Sequence, residues 1–147
     1  MSRPMVSLFD EISVEFENPA GDALGHDGIE GRFVCTPDEA LLHWKRQDRA
    51  FRKSEATTIP LDYGDLESVT YEAPWWRAKR LILKVRKPEL LSAIPGAELG
   101  CLAMFVTKPS RENAAKITEF VDYKLSEVYM AGSVRRLDAT KGQEEMP

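Results

Sequence analysis

The densest chemistry in the chain lies in the run Pro74-Trp75-Trp76-Arg77, closely followed by Lys79 and Arg80. Successive side chains of an extended segment point to opposite sides, so two adjacent tryptophans cannot both enter one core. One indole is therefore expected at the surface or in an interface, with cations on its flank. Such a pairing suits contact with a protein partner or with an anionic membrane surface. The purely structural counterpart has one tryptophan capping the sheet and the other packed on the N-terminal arm. Arg49, Arg52 and Lys53 join the same patch if the hairpin tips that carry them lie together.

The other reactive residue types do not assemble into a reaction centre. Asp62, Asp65 and Glu67 are close in sequence, as a catalytic pair would be, but turns collect solvated acids without any reaction. Cys35 and Cys101 sit in apolar, strand-like runs, where small buried thiols in a reducing compartment are expected rather than a disulfide or metal ligands. His26 and His43 have no ligand spacing to each other or to the cysteines. Gly21, Gly25, Gly28 and Gly31 miss the phosphate-loop spacing, and the acids of residues 18–28 miss the calcium-loop spacing. No catalytic residue, metal site or cofactor is expected, and an enzyme or small-ligand carrier is the last of the readings.

The elements that must position these residues are mostly short alternating strands. Ile12, Val14 and Phe16 alternate with polar residues, and IEGRFVCT (29–36) and ALLHWKR (40–46) form a hairpin about the turn Thr36-Pro37-Asp38-Glu39. In the second half of that hairpin Leu42 and Trp44 share one face, Leu41 and His43 the other. ATTIPLD (56–62) contains Pro60, which cannot donate to a ladder and so marks a sheet edge or a bulge. LESVTY (66–71) alternates Leu66, Ser68 and Thr70 against Glu67, Val69 and Tyr71. AKRLILKVR (78–86) puts Leu81, Leu83 and Val85 on one face, and Leu90, Leu91 and Ile94 anchor the loop after it. GCLAMFVT (100–107) is nearly continuous in apolar residues, as expected of a strand buried on both faces.

One long amphipathic helix closes the chain. Ser110 is its N-cap candidate, Glu112 lies in its first turn, and Ala114, Ile117, Val121, Leu125 and Val128 recur at three- and four-residue steps, with Phe120 widening the stripe. Gly132 suits the left-handed residue that ends a helix, and residues 132–147 are expected to form a disordered polar tail. Strands first and helix last excludes a parallel βαβ arrangement. The fold class is thus mainly β with one C-terminal helix, in which about seven strands form an antiparallel bent sheet or partly open barrel capped by the helix.

Composition bounds the function. The 147 residues fit one domain, with 43 % hydrophobic and 30 % charged residues. A net charge of −4 and a pI near 5.3 argue against nucleic acid as a partner. No secretory leader and no run of membrane-spanning length is seen, so the cytoplasm is the expected compartment.

With the elements in this order, GRFVCTPDEALLHW, IPLDYGDLESVTY, RLILKV and ENAAKITEFVDYKL together resemble the pleckstrin-homology-like superfold, within it the bacterial PH-like and GRAM-type domains. Ile59, Pro60, Leu61, Leu66, Ser68 and Val69 carry its middle stretch. The likeness spans roughly residues 29–130, within a domain expected over 29–131, leaving residues 1–28 as an arm with an extra strand. It implies a binding module for phosphoinositides, peptides or partner subunits. The lipid-binding members carry lysines and arginines in the first hairpin turn. With Thr36-Pro37-Asp38-Glu39 as that turn, two carboxylates would repel phosphate, so phosphoinositide binding by that route is not expected. The expected function is a non-catalytic module for protein–protein contact or self-association. Peripheral attachment to an anionic membrane through Trp75, Trp76, Arg77, Lys79 and Arg80 is the alternative. The self-association reading rests on the apolar run 100–107 and the arm MVSLF, which offer more apolar surface than one small sheet hides.

Overall fold

The computed structural model describes residues 11–19, 28–47 and 56–144, with side chains up to residue 133. The arm at residues 1–10, His26, and the basic run with Arg49, Arg52 and Lys53 lie outside the described residues. Two antiparallel sheets account for the alternating segments. The first has the order β1 (Ile12–Asn18), β2 (Ile29–Cys35), β3 (Ala40–Arg46), β4 (Thr57–Leu61). The second has the order β5 (Leu66–Glu72), β6 (Arg80–Val85), β7 (Cys101–Phe105). Short 3-10 turns at Tyr63–Asp65, Pro88–Leu91 and Lys108–Ser110 lead to one long helix, α1 (Arg111–Glu144). The fold is mainly β, and among the described residues there is no closed barrel: β4 and β5 end their sheets and do not pair with each other.

The register explains the core. Val14, Phe33 and Leu42 lie side by side across β1, β2 and β3, all buried, and the next row runs Phe16, Gly31, Trp44. Glycine is required in the second row. A Cβ on Gly31 would sit 2.0 Å from the His43 carbonyl oxygen, a backbone atom with nowhere to go. Leu81, Leu83 and Val85 supply the inner face of β6, as their alternation predicts. Leu91 and Ile94 are buried and Leu90 half-buried, so the loop after β6 is anchored by the expected residues. Pro60 lies on an edge strand, where its missing amide costs no ladder bond.

Five expectations are corrected. β7 is not fully buried on both faces: Leu102 and Met104 are buried while Cys101, Ala103 and Phe105, on the other face, are only partly covered. In β5 a register shift between Leu66 and Ser68 breaks strict alternation, so that Leu66 and Val69 are both buried. Ser110 belongs to the 3-10 turn, and its hydroxyl accepts the Glu15 amide at 2.9 Å. In the turn after β2, the Thr36 hydroxyl rather than Asp38 makes the local bonds, accepting the Glu39 amide at 3.1 Å. Finally, α1 runs through Gly132 to Glu144 in place of the expected tail. A glycine inside a helix costs about 1 kcal/mol, which the helix formers on both sides offset.

Residues 12–18 are also more than an added arm. β1 pairs with β2 along its whole length, and its other edge is covered by the C-terminal half of the chain. The Asn113 side-chain amide donates to the Ser13 carbonyl at 3.1 Å, and the Thr107 amide to the Glu15 carbonyl at 3.1 Å. Phe16 bridges Val106. The seam is finished by Asn18, whose Nδ2 donates to the Ala103 carbonyl at 2.7 Å while its Oδ1 accepts the Phe105 amide at 2.8 Å. One side chain thus stands in for a residue of the missing ladder. Asn18→Ala should cost on the order of 2 kcal/mol, one for each lost bond, measured as a lower urea midpoint at unchanged slope. A midpoint equal to wild type would show the seam to be held without it.

Candidate functional site

The hairpin of β5 and β6 carries the aromatic and basic run at its tip, residues 73–79. Both indoles face solvent: Trp75 is 91 % exposed and Trp76 64 %. The structural alternative, with one tryptophan capping the sheet, is not what is found. The physical reason is register: Glu72 and Arg80 are the last cross-strand pair, so Trp75 and Trp76 lie on the turn beyond the ladder, where no facing strand covers them.

The cations divide into two roles. The Arg77 guanidinium lies 4.8 Å from the Trp76 ring centroid and 3.7 Å from Glu72 Oε1, so it stacks on one indole while tethered to the strand. Arg80 Nη2 donates to the same Glu72 oxygen at 2.5 Å, and Arg80 is only half-exposed. The Lys79 carbonyl accepts the Val106 amide at 3.0 Å, fixing the hairpin base to the residue after β7. Trp75, Trp76 and Arg77 therefore form one surface, while Lys79 and Arg80 support its base. Glu72 is the residue that sequence reasoning missed. Its role is visible only once the register sets it opposite Arg80, although a hairpin with an acid and a base at its ends was already in the sequence.

The remaining candidates are structural. Asp65 pairs with Lys87 at 3.8 Å, and its carbonyl accepts the Arg86 amide; Asp62 and Glu67 are exposed. His43 Nδ1 lies 2.7 Å from Thr58 Oγ1 across the β3–β4 pair. Among the described residues no three His, Cys, Asp or Glu side chains gather where a metal ion would bind. Two open hollows are found among the described residues. One of about 370 Å³ is lined by Glu15, Arg32, His43, Trp44 and Thr107. The other, about 540 Å³, lies between α1 at Leu125–Met130 and the start of β5.

Cys35 and Cys101 are both free thiols. Cys35 is fully buried beside Tyr63, whose hydroxyl donates to the Thr36 carbonyl at 2.5 Å. Burial pushes the Cys35 thiol up to about 12, against a Tyr63 hydrogen bond that lowers it. The Tyr63 phenol is pushed well above its ordinary value by burial, then by Cys35, Asp38 and Glu39. A thiol held protonated is a poor nucleophile, so Cys35 is a packing residue. Both groups resist ionisation more when folded than unfolded, so the unfolded chain binds fewer protons above pH 9. Stability is whole below that pH and falls as pH rises from 9 toward 12, by up to ~1.4 kcal/mol per pH unit from Cys35, with Tyr63 adding a smaller fall above pH 10. The urea midpoint should drop across that window in wild type and drop less in Cys35→Ala; equal slopes would refute the assignment.

Compared with known proteins, the chain matches no protein-family model and no curated protein sequence.

Proposed function

We propose that this domain is a non-catalytic binding module that engages a protein partner through Trp75, Trp76 and Arg77. One observation carries the reading: two adjacent indoles project from a hairpin whose base is tied down by Glu72, Arg80 and Lys79. Exposed tryptophan costs solvation and is rare on surfaces without a use. Tryptophan and arginine are also the residues on which interface energy concentrates. The tip is rigid at its base, so little ordering entropy is lost on binding.

We read the domain as pleckstrin-homology-like, and the order of four strands, three strands and a C-terminal helix is compatible with that reading. With β1 counted, the first connection of the sheet is residues 19–28, and Thr36–Glu39 is the second. Residues 19–28 contain no lysine or arginine and two aspartates, so a phosphoinositide site of the usual kind is still not proposed. Net charge −4 speaks against nucleic acid. Two unpaired thiols favour the cytoplasm, and among the described residues no helix is long and apolar enough to cross a membrane.

The second reading, attachment to an anionic membrane surface, draws on the same indoles and on Arg77, Lys79 and Arg80. Glu72 weakens it by offsetting two of the three cations at the tip. Affinity capture from the native cell with wild type and the Trp75→Ala/Trp76→Ala double variant tests the first reading: a partner retained by wild type and lost by the variant is expected. Vesicle sedimentation at low and high salt tests the second. Salt-sensitive binding to anionic vesicles, with no protein lost from the double variant's eluate, would replace the protein partner by a lipid one.

A further inference from the structure

The outer face of the second sheet continues the surface of the hairpin tip. In β6, Leu81, Leu83 and Val85 are buried, so Arg80, Ile82 and Lys84 point the other way. The register sets them in three cross-strand rows: Glu72, Arg80 and Phe105; Thr70, Ile82 and Ala103; Ser68, Lys84 and Cys101. Phe105, Ile82, Ala103 and Cys101 all keep part of their surface in water. An apolar strip thus starts at the row next to the tip and runs roughly 13 Å along the strands, from Arg80 to Lys84. Charge on this surface opposes that of the chain, which is −4 overall. Arg77, Arg80 and Lys84 stand against one acid, Glu72, three cations to one carboxylate. Arg77 and Arg80 share a single oxygen of it, Oε1, at 3.7 and 2.5 Å, so neither guanidinium has a carboxylate to itself. Lys84 is exposed and makes no ion pair among the described residues.

We propose that the partner is an acidic segment bearing large apolar side chains, which meets the indoles at the tip and then follows the outer face of β5, β6 and β7. The proposal rests on the reading of Trp75, Trp76 and Arg77 as a binding site and names the chemistry of what they bind. The apolar strip suits aromatic or aliphatic side chains, and carboxylates beside them complement Lys84 and the two arginines that share Glu72. A basic partner would set cations against cations, and a wholly apolar one would cover Lys84 without a counter-charge. An extended segment reaches all three rows. A membrane entered by the tip would stop at the first of them and leave Lys84 behind.

Selection from a random-peptide display library on the full chain, then titration with a synthetic copy of the enriched peptide, tests this. Enriched sequences should combine Asp or Glu with Trp, Phe or Leu. Lys84→Glu, at an exposed site, should leave the melting curve unchanged and weaken the peptide at least ~10-fold. Lys116→Glu, the same charge change on α1, should leave affinity within ~2-fold of wild type. Added salt should weaken binding to wild type more than to Lys84→Glu. Cys101 supplies a footprint on the face itself. Cys35 is fully buried with its thiol held protonated, so alkylation reports Cys101, and saturating peptide should slow it several-fold. Peptides without an acidic bias that still require Trp75 and Trp76 would overturn this proposal and leave the tip as a binding site. Acidic peptides indifferent to Trp75→Ala/Trp76→Ala would overturn both. No enriched peptide, equal affinity for Lys84→Glu, or unchanged Cys101 alkylation would each overturn the acidic segment. Salt-sensitive binding to anionic vesicles in place of peptides would replace it by a lipid surface.

Discussion

Phe120→Asp abolishes folding, whereas Lys116→Ala, one turn earlier and exposed, changes stability by less than ~0.5 kcal/mol. Phe120 is buried against Tyr63, with ring centroids 6.4 Å apart, and the Lys124 ammonium sits 5.8 Å from its ring centroid. Tyr63 in turn bonds the turn between β2 and β3. Phe120 therefore ties α1, the 3-10 turn after β4 and the first sheet to one another. Removing the ring alone costs about 3–5 kcal/mol, and placing a carboxylate in the gap adds the cost of burying a charge without a partner. Against a total of about 5–15 kcal/mol, little folded protein remains. Far-UV circular dichroism during urea titration decides it. A cooperative Phe120→Asp transition near the wild-type midpoint would mean that α1 does not close the sheets. Phe120→Leu, losing roughly 1 kcal/mol, keeps the comparison measurable if the aspartate variant is insoluble.

Trp75→Ala/Trp76→Ala does the reverse: stability stays within about 0.5 kcal/mol of wild type while partner affinity falls by ~100-fold or more. The first half follows from exposure, since indoles that are 91 % and 64 % exposed contribute little to the core. The second follows from two truncated hot-spot tryptophans, each worth at least ~2 kcal/mol when desolvated. Arg77→Ala should have a smaller effect, ~3-fold, through loss of the stack that orients Trp76. Titration calorimetry with the captured partner and a parallel melting curve separate the two quantities. A double variant that loses stability together with binding would make the tryptophans part of the fold.

Most strands were legible because burial on one face imposes a period of two, as in Leu81, Leu83 and Val85. Where the reading failed, a tertiary neighbour had changed the local rule. The alternation of β5 breaks at a bulge that no single strand announces. β7 read as doubly buried because Cys101, Ala103 and Phe105 are apolar, and apolar residues can be only partly covered. Gly132 carries the chemistry of a helix end, yet a stop depends on what the following residues touch, which is not local. For the candidate site, the residue types at the tip were legible, and their exposure was not. It depends on Glu72 pairing with Arg80, and register is a property of two strands together.

The Asn18 bracket has a consequence for how the molecule opens. Ala103 and Phe105 are eighty-five and eighty-seven residues from Asn18 in sequence, so the bonds exist only when both sheets are already in place. Neither sheet can then melt while the other persists without stranding polar backbone at the seam. The protein should unfold as one cooperative unit, and the Phe105 amide, guarded by a side chain rather than a strand, should exchange with solvent only at the global rate.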